Sequence, residues 1–226
     1  MKKLVILFGM FMSVCAIGQE HYLGIKTGLN WTDVSSTNFL SGNTETREQR
    51  AGFNGGLMYE YHIDEMFHLG VDFLYAQKGF SQKIGFIAVN GGPLDEENSE
   101  YNFDYISLPI KGGITIGNKV SGFANLGITP SILVSSFIIT PEIPGFSQEN
   151  KTNLTNKASR FDMGGIAEIG VNYEILDSTV LFTSIGYQVS FTSLTTDKFF
   201  PSGEARHSGL VLALGLKYRL KSAQND

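Results

Sequence analysis

Four histidines and a set of regularly spaced lysines and carboxylates are the residues with chemical potential in this chain. His62 and His68 flank one short turn, Ile63-Asp64-Glu65-Met66, where two imidazoles could meet as metal ligands. No further ligand follows at a metal-binding spacing, so both read as structural. His207 and Ser208 have the side chains of a hydrolytic base and nucleophile, but neighbours on a strand point to opposite faces and cannot pair. No G-x-S-x-G occurs, and Gly112-Gly113 and Gly164-Gly165 lack a phosphate-loop context. No catalytic, cofactor-binding or metal residue is expected, and the chain does not read as an enzyme.

The other charged set is Lys26, Glu60, Asp72, Lys111, Glu168, Glu174, Lys217 and Arg219, four acids and four bases. All fall on the polar face of segments whose other face is apolar. Isolated charges in a confined space are costly, so pairing into a structural network is the expected arrangement. A proton or ion path through the same groups is the alternative use.

The positioning elements are strands. From Ser208 onward, Leu210, Leu212, Leu214, Leu216, Tyr218 and Leu220 alternate with Gly209, Val211, Ala213, Gly215, Lys217 and Arg219. That is period two, which an amphipathic helix cannot give. The same reading yields eight strands at about 22–31, 51–63, 66–82, 101–116, 120–135, 159–174, 179–194 and 206–220. Residues 63–66, 117–119 and 176–178 are tight turns, whereas the links 32–50, 83–100, 136–158 and 195–205 are long and polar. Strict alternation of long and short links is the pattern of an up-and-down transmembrane barrel, with short periplasmic turns and long outer loops.

Composition agrees. The 226 residues carry 42% hydrophobic but only 17% charged side chains, with 26 Gly, 17 Phe and 9 Tyr. Disordered chains have fewer aromatics, and a nucleic-acid binder would not carry 22 acids against 17 bases. No helical membrane span of 18 or more apolar residues follows the first segment. That first segment, Met1-Lys2-Lys3, an apolar run from Leu4 to Val14, then Ala16-Ile17-Gly18, reads as a cleaved signal peptide, residues 1–18. Val14 ahead of Cys15 speaks against a lipoprotein signal. Residues 19–226 are then one barrel domain in the outer membrane.

With eight strands the interior is just wide enough to be filled by side chains. Gly and the charged set suit that interior, and the large apolar face meets lipid. Aromatics near strand ends, among them Tyr22, Trp31, Phe53, Tyr61, Phe67, Tyr75, Tyr101, Phe161, Tyr173, Phe191 and Tyr218, are expected to form two interface girdles.

The stretches Gly24-Ile25-Lys26-Thr27-Gly28-Leu29-Asn30, Tyr75-Ala76-Gln77-Lys78-Gly79-Phe80 and Tyr105-Ile106-Ser107-Leu108-Pro109-Ile110-Lys111 carry a family likeness. So do Phe161-Asp162-Met163-Gly164-Gly165 and Gly215-Leu216-Lys217-Tyr218-Arg219-Leu220. On these, residues 20–220 resemble the PorT-type outer-membrane β-barrels of Gram-negative bacteria. The resemblance implies an eight-stranded integral barrel without cofactor or catalytic residue, and some similar proteins support protein secretion. The polar tail Lys221 to Asp226 departs from the aromatic ending usual for such barrels. The expected function is a non-enzymatic outer-membrane barrel whose outer loops meet a ligand or partner, or whose body supports a membrane complex. A narrow pore and a soluble lipocalin-like periplasmic barrel are the alternatives. Expected partners are outer-membrane lipid, the barrel-insertion machinery and an unidentified ligand or protein at the outer loops, with no nucleic acid.

Overall fold

The computed structural model describes residues 20–37, 47–84, 97–142, 148–194 and 204–220. The expected signal peptide, the tips of the long links and the C-terminal tail lie outside the described residues. The described residues form ten strands: β1 (Glu20–Thr37), β2 (Arg47–His62), β3 (Phe67–Ile84), β4 (Glu97–Ser107), β5 (Ile110–Gly117), β6 (Val120–Thr140), β7 (Asn150–Asn153), β8 (Phe161–Leu176), β9 (Thr179–Ser190) and β10 (Glu204–Leu220). Each pairs antiparallel with its neighbours, and β10 returns to β1 in unbroken register from His21↔Leu220 to Thr37↔Glu204. The ladder runs β1–β2–β3, then β4 and β5, then β6–β8–β9–β10 and back to β1. Among the described residues the wall strands close on themselves as a barrel, and the short β7 pairs with β6 alone.

β4 and β5 together form one wall strand, read from the sequence as the single strand 101–116. The break falls at Leu108-Pro109, where proline cannot donate to the ladder. Pairing spans the gap, since Asp72 N–H donates to the Pro109 carbonyl and Leu108 N–H to that of Pro130. The eight wall strands of the sequence reading are therefore present, and β7 is an addition on the upper edge of β6.

Local chemistry closes the short turns. Asp64 Oδ1 accepts the backbone N–H groups of Met66 (2.8 Å) and Phe67 (2.6 Å), the side-chain form of a turn. Those N–H groups, Phe67 first, hold the Asp64 carboxyl below the ordinary aspartate range. Gly117 takes a φ of +117° at the β5–β6 turn, a conformation that side chains disfavour.

The alternating faces sort as the period demands. Leu23, Ile25, Leu29, Leu57, Phe73, Ile169, Leu212 and Leu214 point outward and are exposed, Leu126 to 71%. Lys26, Glu60, Asp72, Lys111, Glu168 and Lys217 point inward and are buried. A water-soluble lipocalin-type barrel would hold its large apolar residues inside, so this arrangement overturns that alternative. An apolar belt of this extent needs lipid around it. Strands β1, β3 and β6 have 18, 18 and 21 residues, against about 9–11 needed to span a bilayer. The wall is therefore taller than the bilayer core.

Two strand-end aromatics do not join a girdle. Tyr22 is on the same face as Lys26 and is buried in the lumen. Tyr101 faces inward and stacks on Phe80, with ring centroids 4.5 Å apart. Glycines on the inner face make room for large rings. A Cβ at Gly215 would run into the Phe182 ring, and one at Gly170 into Phe123.

An arginine placed on the belt tests its contact with lipid. Leu126→Arg is expected to destabilise the folded barrel by about 2–4 kcal/mol, the cost of a lipid-facing arginine near the midplane. Urea unfolding in lipid vesicles measures it, and a cost near zero would mean that this face meets water.

Candidate functional site in the barrel lumen

Three strands act as rulers along the lumen. Running from the tight-turn end to the long-link end, β10 contributes Arg219, Lys217, Ala213, Val211 and His207. In the same direction β3 contributes His68, Asp72, Leu74 and Lys78, and β8 contributes Glu174, Asn172, Glu168 and Asp162. Inward residues of equal height meet across the barrel.

At the turn end Arg219 lies between Glu20 and Glu174, 3.1 Å from each. These three are only partly buried, so Glu174 and Arg219 of the expected set line an open mouth rather than a confined interior. One level deeper, Lys217 pairs with Glu60 at 2.5 Å, and the His62 ring lies 3.4 Å from the same carboxylate. The His62 and His68 rings stack at 5.1 Å, while His68 Nε2 meets Asn125 and its Nδ1 meets Thr115. No group of three potential metal ligands occurs among the described residues.

Mid-barrel, four of the eight expected residues come together from four strands. Lys26 (β1) contacts Glu168 at 2.6 Å and Asp72 at 3.5 Å. Lys111 (β5) contacts the same two carboxylates, Asp72 at 2.8 Å and Glu168 at 3.2 Å. Each cation thus touches both anions in a neutral quartet. Glu168 also accepts from Ser184 (2.7 Å) and Asn125 (3.1 Å), so both its oxygens are fully engaged. The cavity beside the quartet, bounded by Asn30, Asn54 and Asp72, measures about 20 Å³, room for one water.

Nearer the long links, a pair absent from the expected set adds a further layer. Lys78 bonds Asp162 at 2.8 Å, and Asp162 accepts from Ser190 (2.9 Å) and Thr192 (3.0 Å). The Lys78 ammonium stands 5.0 Å from the Tyr105 ring centre. Stepping by two along β3 from Asp72 reaches Lys78, and along β8 from Glu168 reaches Asp162. The period-two signal was therefore available for both. Above them an apolar cap of buried residues packs together inside the barrel, built from Val34, Phe80, Phe103, Tyr105, Leu133, Ala158, Leu194 and Ala205. Ala158 and Leu194 come from the segments after β7 and β9, which fold in over the strand ends. His207 sits in this cap against Phe103 (5.1 Å) and Tyr105 (6.0 Å), with neither ring nitrogen hydrogen-bonded.

Chemically, the lumen offers paired charges and packed rings. The hydroxyls of Ser184 and Ser190 donate to the Glu168 and Asp162 carboxylates, whose charge the lysines balance.

No curated protein matches the chain. Among solved structures it is similar to the outer membrane protein OprG of Pseudomonas aeruginosa, 11% identical, with a TM-score of 0.52 over 91% of this chain and 97% of that one. It is also similar to Neisserial surface protein A, at 10% identity and a TM-score of 0.49 over 90% of this chain and 99% of that one. Ail of Yersinia pestis follows at 17% identity and a TM-score of 0.40, over 89% and 99%. The likeness to OprG concerns the fold alone. Residues 18–196, most of the sequence, match the family model described as outer membrane protein beta-barrel domain. The chain belongs to the outer-membrane protein β-barrel domain family.

Proposed function

We propose that this barrel is a non-enzymatic, closed-lumen protein of the outer membrane that works through its outer loops or as a supporting part of a membrane complex. A role beside secretion components, of the kind the PorT-type resemblance implies, is the finer form of this reading. The observation that carries it is the bore itself, in which a buried ion quartet and an apolar cap lie in series. The eight charged residues then serve structure, six inside the wall and Glu174 with Arg219 at the mouth. Lipid covers the belt, and the barrel-insertion machinery is the assembly partner.

The wild-type chain in planar bilayers is expected to give no steady conductance. Reproducible open steps would sink this reading in favour of the narrow pore. Orientation is checked separately with single cysteines. In intact cells an impermeant maleimide is expected to label Lys157→Cys on the long-link side and to spare Asn118→Cys in a tight turn. The reverse pattern would invert the barrel.

A further inference from the structure

The tight-turn end holds a cavity of about 500 Å³, within the range of small-ligand sites. Its wall is made by Glu20, Tyr22, Asn172, Glu174, Lys217 and Arg219, and the turn residues Asp64 and Glu65 stand at its rim. The charges do not balance. Lys217 is taken by Glu60 below it. Arg219 is a single guanidinium shared by two carboxylates, Glu20 and Glu174, which leaves one negative charge over. Asp64 and Glu65 add two more at the rim.

A separate observation points the same way. Asn172 is 5% exposed, lines the cavity and donates its amide to Ser121 Oγ at 3.2 Å, while its carbonyl oxygen has no partner. A buried acceptor left open calls for a donor. Arg219 Nε is likewise buried without a partner, a donor in want of an acceptor. An alkylammonium brings three donors and a positive charge but no acceptor, whereas a lysine within a peptide brings an amide carbonyl as well.

We propose that this cavity binds the lysine side chain of a peptide segment, its ammonium held by Asn172 Oδ1 and the Glu20 and Glu174 carboxylates. The carbonyl of the same segment accepts from Arg219 Nε. The compartment of that partner rests on the orientation proposed above, whereas the binding does not.

The test uses the full chain folded in nanodiscs, titrated with N-acetyl-lysine methylamide, its norleucine analogue, cadaverine and a pentapeptide with one central lysine. Calorimetry or amide chemical shifts give the affinities, and heat-modifiable gel mobility confirms that each variant is folded. The lysine amide should bind and the norleucine analogue should not. Glu174→Gln and Asn172→Leu should each weaken binding on the order of tenfold, the loss of one charge-assisted bond. Asn172→Asp should strengthen it, and this variant carries the test if Asn172→Leu fails to fold. Norleucine binding as well as lysine, or affinities unmoved by all three substitutions, would overturn the site. Cadaverine binding as tightly as the pentapeptide would overturn the peptide assignment and make the ligand a free amine. Tighter binding of the pentapeptide would support it.

Discussion

Lys111→Ala is expected to lower the unfolding free energy of the barrel by about 3–5 kcal/mol, the cost of removing one partner from a buried ion pair. The geometry gives the reason. Lys111 and Lys26 each contact both Asp72 and Glu168, so the quartet is neutral only when complete. Without Lys111, Lys26 alone must serve two buried carboxylates. Its contact to Asp72 is already the longest of the four, at 3.5 Å. Asp72 would be the orphan, since its Oδ1 has no partner and its Oδ2 depends on the two lysines. Glu168 would keep Lys26, Ser184 and Asn125.

The pair Lys111→Met with Asp72→Leu should therefore cost less than Lys111→Ala alone, because it removes the orphan together with its cation. Interacting residues depart from additivity in this manner. Trp31, the single tryptophan, sits on the outer face and reports unfolding by fluorescence in lipid vesicles under urea. A cost below about 1 kcal/mol would be that of an exposed pair, and the quartet would then be hydrated rather than confined.

How far this site could be read beforehand depended on which signal each residue carried. The wall was legible because lipid outside and a narrow bore inside impose opposite demands on alternate residues. In β10 the run from Leu210 to Leu220 shows both demands without interruption. Lys26, Asp72, Lys111 and Glu168 were legible as inward residues, but their mutual contacts depend on the stagger between strands, which alternation on one strand does not encode. Tyr22 and Tyr101 were misplaced because an aromatic near a strand end has the composition of an interface girdle. Counting by twos from Lys26 puts Tyr22 inside, and the face outweighs the composition.

β7 had no such signal. Asn150-Lys151-Thr152-Asn153 is exposed throughout and joins the sheet through backbone bonds to β6. The break between β4 and β5 was marked by Pro109, yet apolar alternation runs straight through it from Ile106 to Ile116. The cap was hidden for another reason. Ala158 and Leu194 lie in segments that read as polar link and strand end, and only the folded chain brings them over the bore.

Opening the bore is expected to require both seals to be broken, and this gives the largest functional change. Phe103 and Tyr105 are essentially fully buried in the cap, and Tyr105 also faces the Lys78 ammonium. Replacing both by alanine clears the cap but leaves the quartet, beside which the cavity holds about one water. Lys111→Ala with Asp72→Ala thins the quartet while preserving neutrality, but leaves the cap intact. Barriers in series add as resistances, so either pair alone should leave the bilayer current near its wild-type leak. All four together should raise it by on the order of tenfold over either pair, because an eight-stranded bore is sealed only by the side chains that fill it. The opened path would keep Lys26 with Glu168 and Lys78 with Asp162, two balanced pairs, so weak selectivity between anions and cations is expected. Conduction by the cap pair alone would show that the quartet passes ions. Silence from the fourfold variant, with its fold intact by gel mobility, would move the closure to the Lys78–Asp162 level.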